Sequence, residues 1–309
     1  MHNRVLIELP TWLGDCVMAT PAIENIVNFD NDAQITFIGS FVAIESMKNH
    51  PKMVKTVVLD KKYGVLFKTA KDFGKFDVFF SFRSSLRSKF LKFLISSDKK
   101  FQYDKNKYLN HHQVEKYNNF VNDSLSINLT AKKLQIYGYS TSKNKKKILG
   151  INPGASYGSA KRWYPEEFAK VAGELSSQYD IVIFGGPGEK DIAMDIEKSL
   201  LEKGIDNYQN LAANTTIPEL IDHISKLDLF ITGDSGPMHV AAAFQVPTVA
   251  IFGPTKDDET SQWMNDKSII VKKNLGCQPC MKRTCPLQHH ECMKLITAVE
   301  VLDAVKGLD

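Results

Sequence analysis

Short runs of β-branched and aromatic residues alternate along the chain with longer segments whose apolar residues recur at helical spacing. In the first half this pattern predicts strands at residues 4–9, 34–39, 54–59 and 77–82. Helices are predicted between and after them, at about residues 16–28, 43–49, 65–71 and 86–95. Beyond Asp98 the sequence is polar and its periodicity is indecisive. Strands that alternate with helices through short connections indicate a parallel sheet covered on both faces.

The same rhythm returns after a polar stretch. Residues 142–147 contain no apolar side chain, which predicts a solvated linker. Strands are predicted after it at residues 148–152, 181–184, 229–232 and 248–252. Helices are predicted at about residues 166–176, 191–201, 218–226 and 238–244. The sequence therefore predicts an α/β protein of two doubly wound domains, residues 1–145 and 146–309. We expect ligands in a cleft between them, outside the carboxyl ends of the strands.

Length and composition agree with this organisation. The 309 residues suit two domains of about 150 residues each. A content of 43% hydrophobic and 24% charged residues is typical of a globular chain. The apolar runs are far shorter than the ~18–20 residues that cross a bilayer, and the N-terminal stretch does not resemble a signal peptide. We therefore expect a cytoplasmic protein.

The net charge of +4 conceals a strong asymmetry between the two halves. Residues 1–150 hold 24 Lys and Arg against 13 Asp and Glu, a formal charge of +11, whereas residues 151–309 hold 15 against 22, or −7. Most of the basic surplus lies in residues 51–100. It is either a solvated face or a surface for an anionic partner such as a membrane headgroup.

The first predicted strand leads through Gly14 and Asp15 into a helix. Gly14 lets the backbone approach a ligand closely. Asp15 either caps the helix or directs its carboxylate into the cleft as a general base. Glu8, within the strand, is a rival base.

Two loops of the second half combine small residues with features that favour anions. Residues 233–239 read Gly-Asp-Ser-Gly-Pro-Met-His, and the amides of Ser235 and Gly236 at the start of a helix suit a phosphate. His239 either contacts phosphate or is a buried, hydrogen-bonded histidine. In residues 153–165, hydroxyl groups precede two cations, so Lys161 is a candidate for phosphate oxygens, unless the loop is merely solvated. Glu189, in a Gly-rich turn, is a candidate for a ribose hydroxyl pair.

These segments carry a family resemblance. Gly14-Asp15, residues 152–165 and residues 233–239 together resemble the ADP-heptose:lipopolysaccharide heptosyltransferases of glycosyltransferase family 9. The tail at residues 277–293 is most similar to the heptosyltransferase II branch. The resemblance implies a GT-B architecture of two Rossmann-like domains, the first binding the acceptor and the second the ADP-sugar. It also implies that the C-terminal helix packs back on the first domain.

The resemblance implies roles for individual residues as well. Asp15 is the implied general base and Lys161 the phosphate-binding, catalytic lysine. The whole predicted donor site comprises Gly14, Ser156, Tyr157, Lys161, Glu189, Asp234, Ser235, Gly236 and His239. Cations that follow the fourth strand are the acceptor candidates, namely Arg83, Arg87 and Lys89.

The implied reaction is an inverting, metal-independent transfer of heptose from ADP-heptose to the heptose of the lipopolysaccharide or lipooligosaccharide inner core. The partners are then ADP-heptose, a heptosyl-Kdo-lipid A acceptor and the inner face of the cytoplasmic membrane, bound peripherally. No cofactor or metal is expected, because the Asp-x-Asp sequence at Asp30 and Asp32 predicts a turn. The alternatives are another core sugar transferase or an epimerase, and a non-catalytic binder of anionic glycans. The sequence shows little of the aromatic interleaving of a nucleic-acid platform, so nucleic-acid binding ranks last.

Four of the five cysteines cluster near the C-terminus with His289 and His290; they are Cys277, Cys280, Cys285 and Cys292. Reduced packing cysteines are favoured over a zinc site, because the spacing lacks a second paired Cys-x2-Cys knuckle. A disulfide is disfavoured in a cytosolic protein. Cys16 is predicted to pack inside the first domain.

Overall fold

The computed structural model describes residues 3–60, 62–142 and 145–308. It divides the chain into two compact units, Met1–Gly138 (unit 1) and Tyr139–Asp309 (unit 2). The boundary lies seven residues before the predicted one. The reason is that the Tyr139 ring packs 6.2 Å from Phe244 and the Ser225 hydroxyl donates to the Ser140 carbonyl at 3.0 Å. The predicted linker includes residues 143 and 144, which lie outside the described residues.

Unit 1 is a parallel sheet with the strand order β3-β2-β1-β4-β5. Its strands are β1 (Arg4–Glu8), β2 (Gln34–Gly39), β3 (Met53–Val58), β4 (Lys75–Ser81) and β5 (Ser96–Gln102). Its helices are α1 (Leu13–Phe29), α2 (Phe41–Met47), α3 (Tyr63–Asp72), α4 (Leu86–Leu94) and α5 (Gln113–Leu125). The predicted elements are confirmed to within a few residues, but β5 and α5 were not predicted. The strand β5 lies at the sheet edge, where partial exposure tolerates a polar sequence without apolar alternation.

Unit 2 is a parallel sheet with the order β8-β7-β6-β9-β10-β11. Its strands are β6 (Lys147–Asn152), β7 (Tyr179–Ile183), β8 (Tyr208–Asn210), β9 (Leu229–Gly233), β10 (Thr248–Phe252) and β11 (Ser268–Lys272). Its helices are α6 (Pro165–Leu175), α7 (Lys190–Glu202), α8 (Ile217–Ser225), α9 (Gly236–Ala243), α10 (Asp257–Thr260), α11 (Glu291–Lys294) and α12 (Ala298–Lys306). This is the order of nucleotide-binding folds, whose ligands lie where the order reverses, here between β6 and β9. The α/β class and the two doubly wound sheets are confirmed.

Packing fixes the strand ends. Every residue of β9 and β10 is buried, as expected for strands covered on both faces. Gly150 in β6 lets Leu227 and Phe230 pack directly against the strand, since a Cβ at Gly150 would lie 2.4 Å from Leu227 and 2.8 Å from Phe230. Each buried Leu, Ile or Phe side chain contributes about 1.5–3 kcal/mol. The sheet is therefore a rigid frame for the loops that follow its strands.

The C-terminal helix takes part in the packing of unit 2. α12 packs against α6, β10 and β11. The further packing on the first domain that the resemblance implied stays a prediction. Val301 on its inner face lies in the same apolar cluster as Val249 and Ile251 of β10. Among the residues that the structure describes, no helix is long and apolar enough to cross a membrane.

Candidate active site

Lys161 and Asp234 form a largely buried ion pair at the carboxyl ends of β6 and β9. The Lys161 Nζ lies 2.5 Å from the Asp234 Oδ2, with side chains 13% and 6% exposed. The same ammonium lies 3.4 Å from the Asp234 carbonyl. Thr255, which follows β10, donates its hydroxyl to the Asp234 Oδ2 at 2.6 Å. A positive charge is therefore held at the point where the strand order reverses, which suits an anionic ligand.

A chain of polar side chains holds the loop after β9. The Asn152 amide lies 3.3 Å from the Thr232 hydroxyl and 3.2 Å from that of Ser235. The two hydroxyls are 3.0 Å apart. Ser235 is the N-cap of α9, yet within the described residues its side chain makes no capping hydrogen bond. Ser235 therefore does not cap the first-turn amides of α9, Gly236 included, and such amides at a helix start suit an anion. Asn152, Thr232 and Thr255 were not predicted.

The loop that carries Lys161 is braced by a distant segment, residues 277–292, which we term the cysteine segment. The Tyr157 hydroxyl donates to the Met281 carbonyl at 2.7 Å, and the Ala160 amide donates to the Arg283 carbonyl at 3.0 Å. A Cβ at Gly158 would lie 2.3 Å from that same Arg283 oxygen. Lys161 and Arg283 both lie over the Tyr157 ring, at 4.8 and 5.5 Å from its centroid. Tyr157 therefore positions the loop and contacts both cations.

His290 adds a second brace from the cysteine segment. Its Nε2 lies 2.9 Å from the Ala160 carbonyl and its Nδ1 lies 3.2 Å from the Tyr164 hydroxyl. The Trp163 ring is buried, and its Nε1 donates to the Ile296 carbonyl at 2.9 Å. These contacts join residues more than 120 positions apart in sequence, so local sequence patterns do not predict them.

The four clustered cysteines line one cavity of about 20 Å³, together with His289 and His290. All are free thiols, and Cys292 is the buried one. Burial, reinforced by the three neighbouring thiols, raises the pKa of Cys292 to about 11. Within the described ranges, no group of three or more His, Cys, Asp or Glu is arranged to hold a metal ion. Cys16 is buried, as predicted, and its thiol lies 3.2 Å from the Pro10 carbonyl.

Glu189 lies beside the loop that follows β6. Its Oε2 accepts the Gly186 amide at 2.7 Å, and its side chain is buried. A Cβ at Gly154 would lie 2.0 Å from the Glu189 carboxyl carbon, so this glycine lets the two loops meet. Glu189 is thus placed near the predicted donor loop. Ser156 is exposed in that loop, and His239 is buried in α9.

In unit 1, Asp15 lies in the first turn of α1 and is partly buried. Trp12 occupies the N-cap position, so Asp15 stands three residues after the N-cap and is not the N-cap residue itself. The helix dipole stabilises a negative charge at this end of α1. The Asp15 carboxylate lies close enough to Tyr117 and Cys16 to add to the rise in pKa that burial gives both groups. A carboxylate is therefore present at the carboxyl end of β1, where a general base was predicted.

Glu8 is the last residue of β1, and its carboxyl group is completely buried. Ser81 donates to its Oε2 at 2.5 Å and Ser88 to its Oε1 at 2.9 Å. The Arg83 Nη1 lies 3.6 Å from the Oε1. Burial raises the pKa of Glu8, and the hydrogen bond from Ser81 and the charge of Arg83 oppose that rise. Glu8 is enclosed by these partners, which argues against the rival-base interpretation.

The predicted acceptor cations lie around this group. Arg83 is 19% exposed, and Arg87 on α4 donates to the Asp60 carbonyl. Lys89 is exposed on the same helix. The Asp30–Asp32 sequence forms the predicted turn, in which the Asp32 amide donates to the Asp30 carboxylate at 3.1 Å.

Comparisons with known proteins agree with this picture. The family model of glycosyltransferase family 9 (heptosyltransferase) matches residues 76–291. The chain is 44% identical to lipooligosaccharide heptosyltransferase 2 of Campylobacter jejuni serotype O:2, over 99% of this chain and 98% of that protein. It is 42% identical to the enzyme of the same name from serotype O:6, over 99% of both. Its fold is similar to that of Escherichia coli ADP-heptose LPS heptosyltransferase II, with a TM-score of 0.84 at 20% identity, over 99% and 98% of the two chains.

Proposed function

Because this chain belongs to glycosyltransferase family 9, the heptosyltransferases, we propose that it transfers heptose from ADP-heptose to the heptose of a lipooligosaccharide or lipopolysaccharide inner core. The observation that carries the proposal is the Lys161–Asp234 pair at the β6/β9 switch point, beside the amide end of α9. It places one fixed cation and several amide donors where a nucleoside diphosphate is received in such folds.

Unit 2 holds the donor in this proposal. As the bond to heptose breaks, negative charge develops on the β-phosphate of ADP. The Lys161 ammonium contacts the carbonyl and the carboxylate of Asp234, and a third ammonium hydrogen is assigned to a phosphate oxygen. One preorganised donor of this kind is worth about 3 kcal/mol in the transition state. Because Lys161 and the α9 amides carry this charge, the proposed chemistry needs no divalent cation. Glu189 receives the ribose hydroxyls.

Unit 1 supplies the base. Asp15 accepts the proton of the acceptor hydroxyl while that oxygen attacks the anomeric carbon. The new C–O bond forms on the face opposite the departing ADP, so the configuration inverts. A positioned base contributes roughly 10²- to 10⁴-fold to the rate. Arg83, Arg87 and Lys89 contact anionic groups of the heptosyl-Kdo-lipid A acceptor, and the protein works peripherally at the inner face of the cytoplasmic membrane.

The test is to incubate the purified chain with ADP-heptose, with and without heptosyl-Kdo-lipid A, in buffer containing EDTA. We expect ADP release to require the acceptor, and the product to carry one added heptose of inverted anomeric configuration. ADP released equally fast without acceptor would indicate a hydrolase. Isomerised donor without ADP release would indicate an epimerase. Either result contradicts the proposal.

A further inference from the structure

The outer side of α4 is apolar, although its inner side already packs in the core. Leu91 faces the core and is buried, together with Ser88. Leu86, Phe90 and Phe93, spaced i, i+4 and i+7, lie on another side and are 82%, 38% and 80% exposed. Two of these side chains are among the most exposed large apolar groups of the described chain. The helix is therefore more hydrophobic than the packing of unit 1 requires.

The neighbouring helix α3 repeats the pattern. Leu66 and Ala70 are buried in the core, whereas Tyr63 and Phe67, spaced i and i+4, are 54% and 44% exposed. The Tyr63 and Phe90 rings meet edge to face, with centroids 5.5 Å apart. This contact joins the two exposed sides into one continuous surface. We call the surface formed by Tyr63, Phe67, Leu86, Phe90 and Phe93 the outer face.

Cations surround the outer face. Lys68 and Lys71 on α3 and Lys89 on α4 are exposed. The Lys71 ammonium lies 4.5 Å from the centroid of the Phe67 ring, so charge and aromatic surface are interleaved. Asp72 is the one acidic residue in the two helices. Aromatic and aliphatic side chains set among lysines are typical of helices that lie in the interface of an anionic bilayer.

We propose that the outer face docks on an anionic lipid surface, with Phe67, Leu86 and Phe93 entering the headgroup region and the lysines contacting lipid phosphates. The proposal rests on the proposed function, since a lipid-linked acceptor must be reached at a membrane. Because α4 also carries Arg87, docking places the candidate acceptor cations close to the lipid headgroups. A second copy of the chain fits less well, because a symmetric contact would bring these lysines against one another.

The experiment is co-sedimentation of the full chain with vesicles of phosphatidylcholine, with or without phosphatidylglycerol. Wild type is expected to bind the anionic vesicles, and salt is expected to weaken binding. Phe67→Ser/Phe93→Ser and, separately, Lys68→Glu/Lys71→Glu should each raise the apparent Kd at least about tenfold. The matched control is Leu201→Ser/Val299→Ser on α7 and α12 of unit 2. Those two side chains are 57% and 65% exposed, and the control should bind like wild type.

Heptosyl transfer to a deacylated, water-soluble acceptor is measured on the same preparations and should be equal for wild type and all three variants. Failure of every preparation to transfer would overturn the proposed function, while the vesicle result would still decide the docking proposal. The docking proposal would be overturned if wild type did not bind anionic vesicles, or if the outer-face variants bound them with the apparent Kd of wild type. Sedimentation velocity showing a wild-type dimer that Phe67→Ser/Phe93→Ser converts to monomers would also overturn it, since the face would then belong to a second copy.

Discussion

Both units place a carboxyl group beside a cation at the end of a central strand, but the two pairs differ in tightness. In unit 2, Asp234 lies 2.5 Å from Lys161, whereas in unit 1 the Arg83 Nη1 lies 3.6 Å from Glu8. The carboxyl oxygens of Glu8 accept their hydrogen bonds mainly from the hydroxyls of Ser81 and Ser88. The cation of unit 2 is therefore fixed by its counterion, and that of unit 1 retains more freedom.

The difference matches the two proposed ligands. Negative charge on a diphosphate leaving group develops at one place, and a preorganised cation there stabilises it without reorganisation. A large glycolipid acceptor carries several anionic groups. Cationic side chains that are less tightly paired can change rotamer to contact them. In both units the buried carboxyl group positions a cation, and ligand binding is assigned to that less enclosed cation.

The largest effect should come from the base of unit 1. Asp15→Asn keeps the shape of the side chain but removes its ability to accept a proton. We expect kcat to fall roughly 10²- to 10⁴-fold in a transfer assay with both substrates saturating. Glu8→Gln is the matched control and should retain kcat within about tenfold. Near wild-type turnover by Asp15→Asn would exclude Asp15 as the base.

Breaking the pair of unit 2 should affect both rate and stability. Lys161→Met removes the phosphate contact, so kcat/KM should fall roughly 10²- to 10³-fold. It also leaves Asp234 buried without its cation, which costs about 3 kcal/mol of unfolding free energy in denaturant titrations.

The double variant Lys161→Met/Asp234→Asn separates the two effects. Neutralising Asp234 should restore most of the lost stability without restoring activity. A double variant as unstable as the single one would show that the ion pair does not account for the loss.

The contact between the loops after β6 and β7 predicts a smaller effect. Gly154→Ala drives a Cβ into the Glu189 carboxyl group, which should cost about 1–3 kcal/mol of stability and raise the KM for ADP-heptose. Gly188→Ala is the control, since a Cβ there meets nothing within 4 Å. Equal melting temperatures and KM values for the two variants would remove Glu189 from the proposed ribose site.

The smallest effect is a pH dependence from Glu8. Its pKa is raised in the folded state, so the folded chain binds this proton more tightly than the unfolded chain. The stabilising contribution is complete below the ordinary value of 4.5 and is lost as pH rises through the raised pKa. The unfolding free energy of wild type should therefore decline relative to Glu8→Gln as pH increases from about 4 toward neutrality. An unfolding free energy of wild type that rises relative to that of Glu8→Gln as pH increases would contradict the assignment.

Local patterns predicted the buried parts of the fold well. Central strands such as β9 and β10 are apolar throughout because helices cover both faces of the sheet, and such runs are visible in the sequence. The polar edge strand β5 and the three-residue β8 escaped prediction, because edge strands need little burial. The packing of α12 against α6, β10 and β11 also required the structure, since nothing within residues 298–306 encodes the packing partner.

The candidate site divides in the same way. Lys161, Ser235 and Glu189 stand at strand ends and could be found from local sequence. Thr255, Arg283 and His290 make long-range contacts with Asp234 and Ala160. The sequence around each of them contains no pattern that predicts such a contact. The tight partnership of Lys161 with Asp234 also required the structure, because both residues were predicted as separate donor ligands.

The division of labour between the units is tested most directly by titrating ADP into wild type, Asp15→Asn and Lys161→Met in a calorimeter. Asp15→Asn is expected to bind ADP within about twofold of wild type, because it lies in the unit that handles the acceptor. Lys161→Met is expected to bind ADP at least about tenfold more weakly, as loss of a charged hydrogen bond implies. Equal affinities for wild type and Lys161→Met, or a loss in Asp15→Asn as large as that in Lys161→Met, would contradict the account.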